Sequence, residues 1–486
     1  MKKELTILHS NDLHGDFLEE KAVLDDKYTG GLSYLAGYVN KVRTETPNVI
    51  YAIAGDMFRG SVIDSEYRGI STIELMNLVA PDIVCLGNHE LDYGLSHLLF
   101  LEKCARFPII NANLYITTTG TRLFQPHRIL TIDGMKILFI GIVTEETMKG
   151  IKMDPLLGTF VDTDDAVLEV ERIINSYKTE DIDLTVLLTH IGFEEDQQLA
   201  AKLSPDLGVD IIIGGHSHTF PEKPAEVNDI LIVQAGTGTD QIGRFDIVVD
   251  TDTNSVESWK WELCPVDNET SQKDAALEKL LSGYKSQTDA KYGRILTRFD
   301  HILTHPQRCQ ETELGNMFAD IIYDMLKPDI SLMGSGSLRK TILGEAVTVQ
   351  DLMEFFPYKG KVFMTPMKGS TFRKAMQYML RDGFDQEHFE FYQVSRNVRI
   401  NYNRTTKELE VFVDGAPIED DKVYDVSIQE FHFKNITECL GIPVSEIEGY
   451  PRCTVISTSD YDVVEEYFNT HSHLTSYIDG RITIHS

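Results

Sequence analysis

Ile83-Val84-Cys85-Leu86 runs directly into Gly87-Asn88-His89-Glu90-Leu91-Asp92. Apolar, β-branched-rich residues of this kind read as a strand buried on both faces. The polar cluster then falls just past the strand's C-terminal end, where α/β proteins place their sites. The same pattern recurs on either side. Leu5-Thr6-Ile7-Leu8 leads into Ser10-Asn11-Asp12-Leu13-His14, and Val49 to Ala54 leads into Gly55-Asp56. Leu184 to Leu188 leads into Thr189-His190, and Ile211-Ile212-Ile213 leads into Gly214-Gly215-His216-Ser217-His218. Between these runs, Leu32 to Arg43, Ser71 to Val79 and Asp165 to Lys178 carry apolar residues at helical spacing. Strands alternating with helices predict an α/β domain.

The chain has 486 residues, enough for two or three domains. Ile230 to Ala235 and Gly243 to Val249 read as closing strands of a first domain, residues 1–265. A polar stretch follows, with Leu277, Leu280, Leu281 and Tyr284 at helical spacing, and residues 266–291 read as a linker helix. Residues 292–486 form a second domain with helix signals at Glu313 to Lys327 and Gly369 to Arg381. Its strand signals lie at Val394 to Tyr402 and Leu409 to Val413.

Asp plus Glu number 76 against 45 Lys plus Arg, a formal charge of −31. That argues against nucleic-acid binding, which needs basic surface, and against docking on anionic membranes. A small anionic substrate stays open, because a bound metal reverses the local field. No apolar run approaches the roughly 20 residues of a membrane span. The start, Met1-Lys2-Lys3-Glu4, lacks the apolar region of a signal peptide before Asp12 and His14 arrive. Six scattered cysteines without a CxxC pair fit a reducing compartment, so the expected location is the cytoplasm. Nothing in the sequence sets an oligomeric state.

Asp12, His14, Asp56, Asn88, His89, His190, His216 and His218 all fall at the ends of predicted strands. Singly, each has a structural explanation: a core imidazole, a helix cap, a turn. Together they are metal-competent side chains gathered at one end of a sheet. Two divalent ions about 3.5–4 Å apart form a clamp for phosphoryl transfer. Imidazole nitrogen with carboxylate oxygen suits borderline metals, so Mn²⁺, Zn²⁺, Fe²⁺ and Co²⁺ are all admissible.

Asp12-x-His14, Gly55-Asp56, Gly87-Asn88-His89-Glu90, His190 and Gly215-His216-x-His218 resemble, in order, the five blocks of the calcineurin-like metallophosphoesterases. Asn88 to Asp92, Asn111-Ala112-Asn113-Leu114 and the second domain make the chain similar to the 5′-nucleotidase/UDP-sugar hydrolase/2′,3′-cyclic phosphodiesterase family. The resemblance implies a four-layer αββα sandwich, a linker helix and a C-terminal α/β substrate domain. It implies one ion on Asp12, His14 and His218, another on Asn88, His190 and His216, and Asp56 as the bridge. His89 would face the phosphate, with Asp92 fixing its other ring nitrogen. Many of the family's nucleotidases place Gln where His218 stands.

In the second domain, Gly334-Ser335-Gly336-Ser337-Leu338-Arg339 resembles a Gly-rich loop ending in a substrate-gripping Arg, with Gly334 where Asn is usual. Arg339 and Gly336 are therefore expected to bind substrate. Phe356-Pro357-Tyr358 and Gln393-Val394-Ser395-Arg396 match further blocks with substitutions. The run Gly-Gly-Asp-Gly-Tyr, beside which the family places a base-stacking ring, is absent. The corresponding stretch reads Phe431-His432-Phe433-Lys434. Phe431, Phe433 and Tyr392 are the candidate stacking rings.

The reading that follows is a dimetal phosphohydrolase acting on a small-molecule phosphoester of the nucleotide type. The resemblance implies in-line attack by a metal-bridging hydroxide and domain closure about the linker. Alternatives with the same metal site are a cyclic-nucleotide phosphodiesterase or a nucleotide-sugar pyrophosphatase. A catalytically silent metal-stabilised binding module is the non-enzymatic alternative.

Overall fold

The structure, a computed structural model, describes residues 1–21, 27–116, 119–144, 163–383 and 390–485. The chain divides into two compact units, Met1–Thr288 and Asp289–Ser486.

Two six-stranded sheets build the first unit. In one, Lys2–Ser10 pairs parallel with Val49–Ala54, followed by Ile83–Cys85 and Ile109–Ile110, also parallel. Gln241–Asp250 and Ser255–Pro265 extend it antiparallel on the other side. In the other, Met135–Val143, Leu184–His190, Ile211–Ile213 and Ile230–Val233 run parallel. His127–Ile132 and Ala225–Val227 form its antiparallel edges. The apolar runs of the sequence are thus divided between two sheets, and each buries both faces. Alternate residues such as Ile7, Ala52, Val186 and Ile213 form the core between the sheets. Leu8, Ile53 and Val84 pack outward against the helices Leu32–Glu45, Ile70–Val79 and Leu95–Cys104. Ile140, Leu187 and Ile212 do the same against Thr163–Ser176 and Phe193–Lys202. The four-layer αββα sandwich is therefore present.

The linker differs from its expected extent. The helix is Ala275–Tyr292. Asp267 ends the preceding strand segment instead: its Oδ1 accepts the Glu269 and Thr270 amides in a tight turn. Asp274 Oδ1 then accepts the Ala276 and Leu277 amides and starts the helix.

The second unit is also mixed α/β. Its five-stranded sheet runs Tyr392–Val394, Ile330–Gly334, Val423–Gln429, Val362–Lys368, Thr454–Ser457. A four-stranded sheet contains Ala416–Pro417, Leu409–Val413, Val398–Asn403 and Ile482–His485. The single strand expected over 394–402 is broken in two, one part in each sheet. The break comes at Arg396, whose amide leaves the ladder to donate to Asp320 Oδ1, 2.8 Å, while its guanidinium pairs with Asp324.

Candidate metal centre

The parallel strands of both sheets end beside one another, and their C-terminal loops supply the expected residues. Asp12, Asp56 and His190 are almost wholly buried. Asp56 Oδ2 lies 3.1 Å from His190 Nε2 and 3.9 Å from His14 Nε2. Asp12 Oδ1 lies 3.3 Å from His218 Nε2 and 3.7 Å from His14 Nε2. Asn88 Oδ1 is 3.1 Å from His190 Nε2 and 3.2 Å from His216 Nδ1. Ligand atoms of Asp12, His14 and His218 fall within 4.8 Å of one another, as do those of Asp12, Asp56 and His190. The side chains expected around each ion are brought together, with Asp56 near both groups.

The chemistry of the donors fits divalent cations. His190 spends its Nδ1 hydrogen on Ala54 O, 2.8 Å, which leaves Nε2 to face Asn88 and Asp56. His14 and His218 oppose their Nε2 atoms at 3.2 Å. Asp12 Oδ2 accepts from Asn11 Nδ2 and the His216 amide, yet buried Oδ1 has no hydrogen-bond partner. A buried carboxylate oxygen without a partner is costly unless a cation meets it. Electrostatics agree. Burial acts against a charged His190, but the carboxylates of Asp56 and Asp12 dominate and lift it to about 10. Burial likewise opposes ionised Asp56 and Asp12, and His190 outweighs it, holding both below the usual range. Burial pulls His14 and His216 down to about 4, which suits neutral ligand imidazoles.

Backbone geometry shows how tightly the centre is specified. Asp12, His14, Asp56, His216 and His218 all hold positive φ, between 49° and 79°. Non-glycine residues occupy that region at a cost of about 1 kcal/mol or more each, and such residues gather at functional sites. Gly87 permits the close approach of two loops: a Cβ there would sit 2.2 Å from Asp56 Oδ1.

His89 lies beside this cluster, its ring edge-on to His14 at 5.3 Å. Its amide donates to Asp56 Oδ1, 2.8 Å, and its Nδ1 meets Asp92 Oδ2 at 2.9 Å. Burial lowers the His89 pKa, but the Asp92 hydrogen bond and the charges of Asp56 and Asp92 prevail and raise it above 6.5.

Three supporting residues were not assigned roles from the sequence. Glu90 is fully buried and accepts amides from Asp56, Met57 and Gly87 at 2.7–3.0 Å. Burial and the charge of Asp56 push it up to about 7, against the pull of the amides. Asn11 holds Asp12 Oδ2 and also donates to Gly236 O. Arg59 donates from Nε to Asp92 Oδ2, 2.7 Å. The only signal for Glu90 was a carboxylate at a strand end that the metal set did not use.

The second unit corrects three expectations. Tyr392 is buried, and its hydroxyl pairs with His432 Nδ1 at 3.0 Å, so neither ring face can stack on a ligand. Phe433 is 3% exposed and stacks on Phe363 at 4.1 Å and 7°, so it is a core residue. Gly336 donates its amide to Glu390 Oε1, 3.0 Å, so that amide does not serve a substrate anion. A Cβ on Gly334 would meet His432 Nε2 at 2.2 Å, so the loop's glycines make room for the protein's own side chains. Arg339 is exposed, with its guanidinium 6.0 Å from the Tyr358 ring centroid. Phe431 is 59% exposed and remains available.

A sandwich that collects carboxylate, imidazole and amide donors at its strand ends defines a metallophosphoesterase. The family profile described as calcineurin-like phosphoesterase matches residues 5–220, and that of the 5′-nucleotidase C-terminal domain matches residues 293–439. The chain is 26% identical over 539 residues to the 5′-nucleotidase of Mus musculus, covering 99% of this chain and 90% of that protein. It is 28% identical over 489 residues to a snake venom 5′-nucleotidase of Naja atra, covering 88% of this chain and 89% of the other. The crystal structure of a 5′-nucleotidase precursor from Thermus thermophilus superimposes with a TM-score of 0.83 at 22% identity, covering 100% of both chains. The chain belongs to the 5′-nucleotidase family of calcineurin-like metallophosphoesterases, hydrolases of phosphoric esters.

Proposed function

We propose that this protein hydrolyses nucleoside monophosphates at a centre for two divalent ions. The observation that carries the reading is the convergence of seven donors at the strand ends, where Asp12 Oδ1 accepts no hydrogen bond although three imidazole nitrogens stand 3.3–3.8 Å from it. Asp12, His14 and His218 would hold one ion, Asn88, His190 and His216 the other, with Asp56 shared. Bound there, divalent ions supply Lewis acidity toward phosphoryl oxygens and water. Mn²⁺ or Zn²⁺ suits this mixed nitrogen and oxygen set.

The chain's own residues do the rest. Asp92 holds the hydrogen on His89 Nδ1, which orients the ring toward the cluster. His89 Nε2 then donates to a phosphoryl oxygen as the ester bond breaks or gives its proton to the leaving alkoxide. Glu90 and Asn11 keep the loops rigid, so little reorganisation is needed during reaction. The nucleotide preference draws support from the 5′-nucleotidases among the relatives. In the second unit, Phe431 and Arg339 are exposed, an aromatic ring and a guanidinium of the kinds that meet a nucleoside and a phosphate. A cytoplasmic location is part of the same proposal, supported by six unpaired cysteines. No helix among the described residues is long and apolar enough to cross a membrane.

The test is phosphate release by purified protein with Mn²⁺, across nucleoside monophosphates, cyclic nucleotides, nucleotide sugars and sugar phosphates. An Asn88→Ala, His89→Ala double variant is the blank. Preference for nucleoside monophosphates is expected. Preference for cyclic diesters or nucleotide sugars would replace this reading with a phosphodiesterase or a pyrophosphatase.

A further inference from the structure

Arg59 stands three residues beyond Asp56 and holds φ at 69°, backbone that an arginine adopts only when its surroundings impose it. One backbone hydrogen bond holds it there, and its acceptor is itself braced. The Arg59 amide donates to Asp64 Oδ2 at 2.9 Å. Asp64 is fully buried, and the Tyr93 hydroxyl donates to the same oxygen at 2.5 Å. The Tyr93 ring then lies 5.6 Å from the Arg59 guanidinium carbon. Backbone and side chain of Arg59 are therefore held by one unit, Asp64 with Tyr93.

What this clamp delivers is Nε, 2.7 Å from Asp92 Oδ2. The same oxygen meets His89 Nδ1 at 2.9 Å. A single carboxylate oxygen thus joins a guanidinium to the imidazole beside the metal cluster. A carboxylate on a short turn, held by His89 alone, could rotate and release the ring. A guanidinium stays ionised throughout the working pH range and its planar geometry fixes the acceptor. Asp92 is only 16% exposed, so water competes weakly for that oxygen.

We propose that Arg59 is a positioning residue for ester hydrolysis: through Asp92 it fixes the His89 ring, with hydrogen on Nδ1 and Nε2 toward the phosphoryl group. The proposal rests on the reading of His89 as the phosphate-facing residue. It differs from two plainer roles. A structural ion pair would affect stability and leave kcat alone. A direct grip on substrate would raise KM and act without Asp92.

The experiment compares Arg59→Gln, Arg59→Lys, Asp92→Asn and the Arg59→Gln, Asp92→Asn double variant in the full chain. p-Nitrophenyl phosphate is the substrate, because it offers little beyond the phosphoryl group to bind. Arg59→Gln should lower kcat about tenfold or more, the usual loss when the partner of a catalytic ligand is removed. KM, Mn²⁺ affinity and Tm should stay near wild type, and Arg59→Lys should recover part of kcat. In the Asp92→Asn background, Arg59→Gln should cost nothing further, because the route through Asp92 is already cut. The second readout needs no turnover. In metal-free protein labelled with ¹⁵N-histidine, the His89 Nδ1–H signal should be present in wild type and broadened in Arg59→Gln.

Losses that multiply in the double variant, a rise in KM alone, or an unchanged Nδ1–H signal would each overturn the proposal. Should wild type release no phosphate from any ester, the functional reading fails. The nuclear magnetic resonance comparison still decides whether Arg59 holds His89.

Discussion

Glu90→Gln asks whether one buried carboxylate sets both walls of the metal centre. Glu90 Oε2 accepts the amides of Asp56 at 3.0 Å and Gly87 at 2.7 Å, and Oε1 accepts that of Met57 at 2.7 Å. A glutamine keeps one oxygen, which can still serve Asp56 and Gly87. Its NH₂ group then faces the Met57 amide, donor against donor. A buried amide without an acceptor costs about 1–3 kcal/mol, and above pH 7, where Glu90 is ionised, the two remaining bonds lose their charge assistance. A loss of about 2 kcal/mol lowers Tm by roughly 4–8 °C in a domain of this size. The functional cost follows from position, since the displaced amides flank Asp56 and Asn88. Mn²⁺ affinity and kcat/KM should each fall about 10–100-fold, as they do when groups behind metal ligands are lost. Thermal melts with and without Mn²⁺, Mn²⁺ titration calorimetry and phosphate release measure all three. A variant that melts within about 1 °C of wild type and keeps Mn²⁺ affinity within about threefold would refute the reasoning.

Three further outcomes are expected. Asp210 accepts the Thr185 amide at 2.8 Å, and burial pushes its carboxyl up to about 7. The folded state then holds that proton more tightly than the unfolded chain, so this group's contribution to stability falls as pH rises from about 4 to about 7. Asp210→Asn should therefore leave stability unchanged at pH 4 and raise it by about 1 kcal/mol or more at pH 8, read from urea unfolding at both values. An equal effect at the two values would count against the assignment. Phe433→Ala should destabilise the protein by about 3–5 kcal/mol through the cavity left against Phe363. Phe431→Ala should leave Tm unchanged while raising KM for nucleoside monophosphates several-fold, which steady-state assays with AMP would show.

The candidate metal cluster was legible because each of its side chains lies at or just past the end of a buried run, so the strand fixes where it falls. Asp12, Asp56, Asn88, His190 and His216 needed no knowledge of which sheet they joined. The division of those strands between two sheets followed only from the family resemblance, since buried runs look alike in either. Glu90 stood in view beside His89, but its three amides belong to residues far apart along the chain, and only folding brings them to it. Arg59 was hidden for the same reason, its meaning residing in Asp64, Tyr93 and Asp92. Two of the three aromatic candidates, Phe433 and Tyr392, failed on orientation. Phe431 and Phe433 lie two apart in the helix Glu430–Lys434 and so project to opposite sides, one to solvent and one to the core. Tyr392 sits in a strand buried on both faces, which its short run between polar residues did not disclose. The loop from Gly334 resembled a Gly-rich segment ending in a substrate-gripping Arg, but a sequence does not show that His432 and Glu390 occupy the space beside Gly334 and Gly336.

The central claim is that Asp12, His14, His218, Asn88, His190 and His216, sharing Asp56, hold two divalent ions without which no ester is cleaved. Calorimetric titration of chelator-treated protein with Mn²⁺, with phosphate release from AMP followed in parallel, tests it most directly. The account predicts no release after chelation, two equivalents bound, and activity returning as the second site fills. Release that survives chelation, or activity complete at one equivalent, would contradict it.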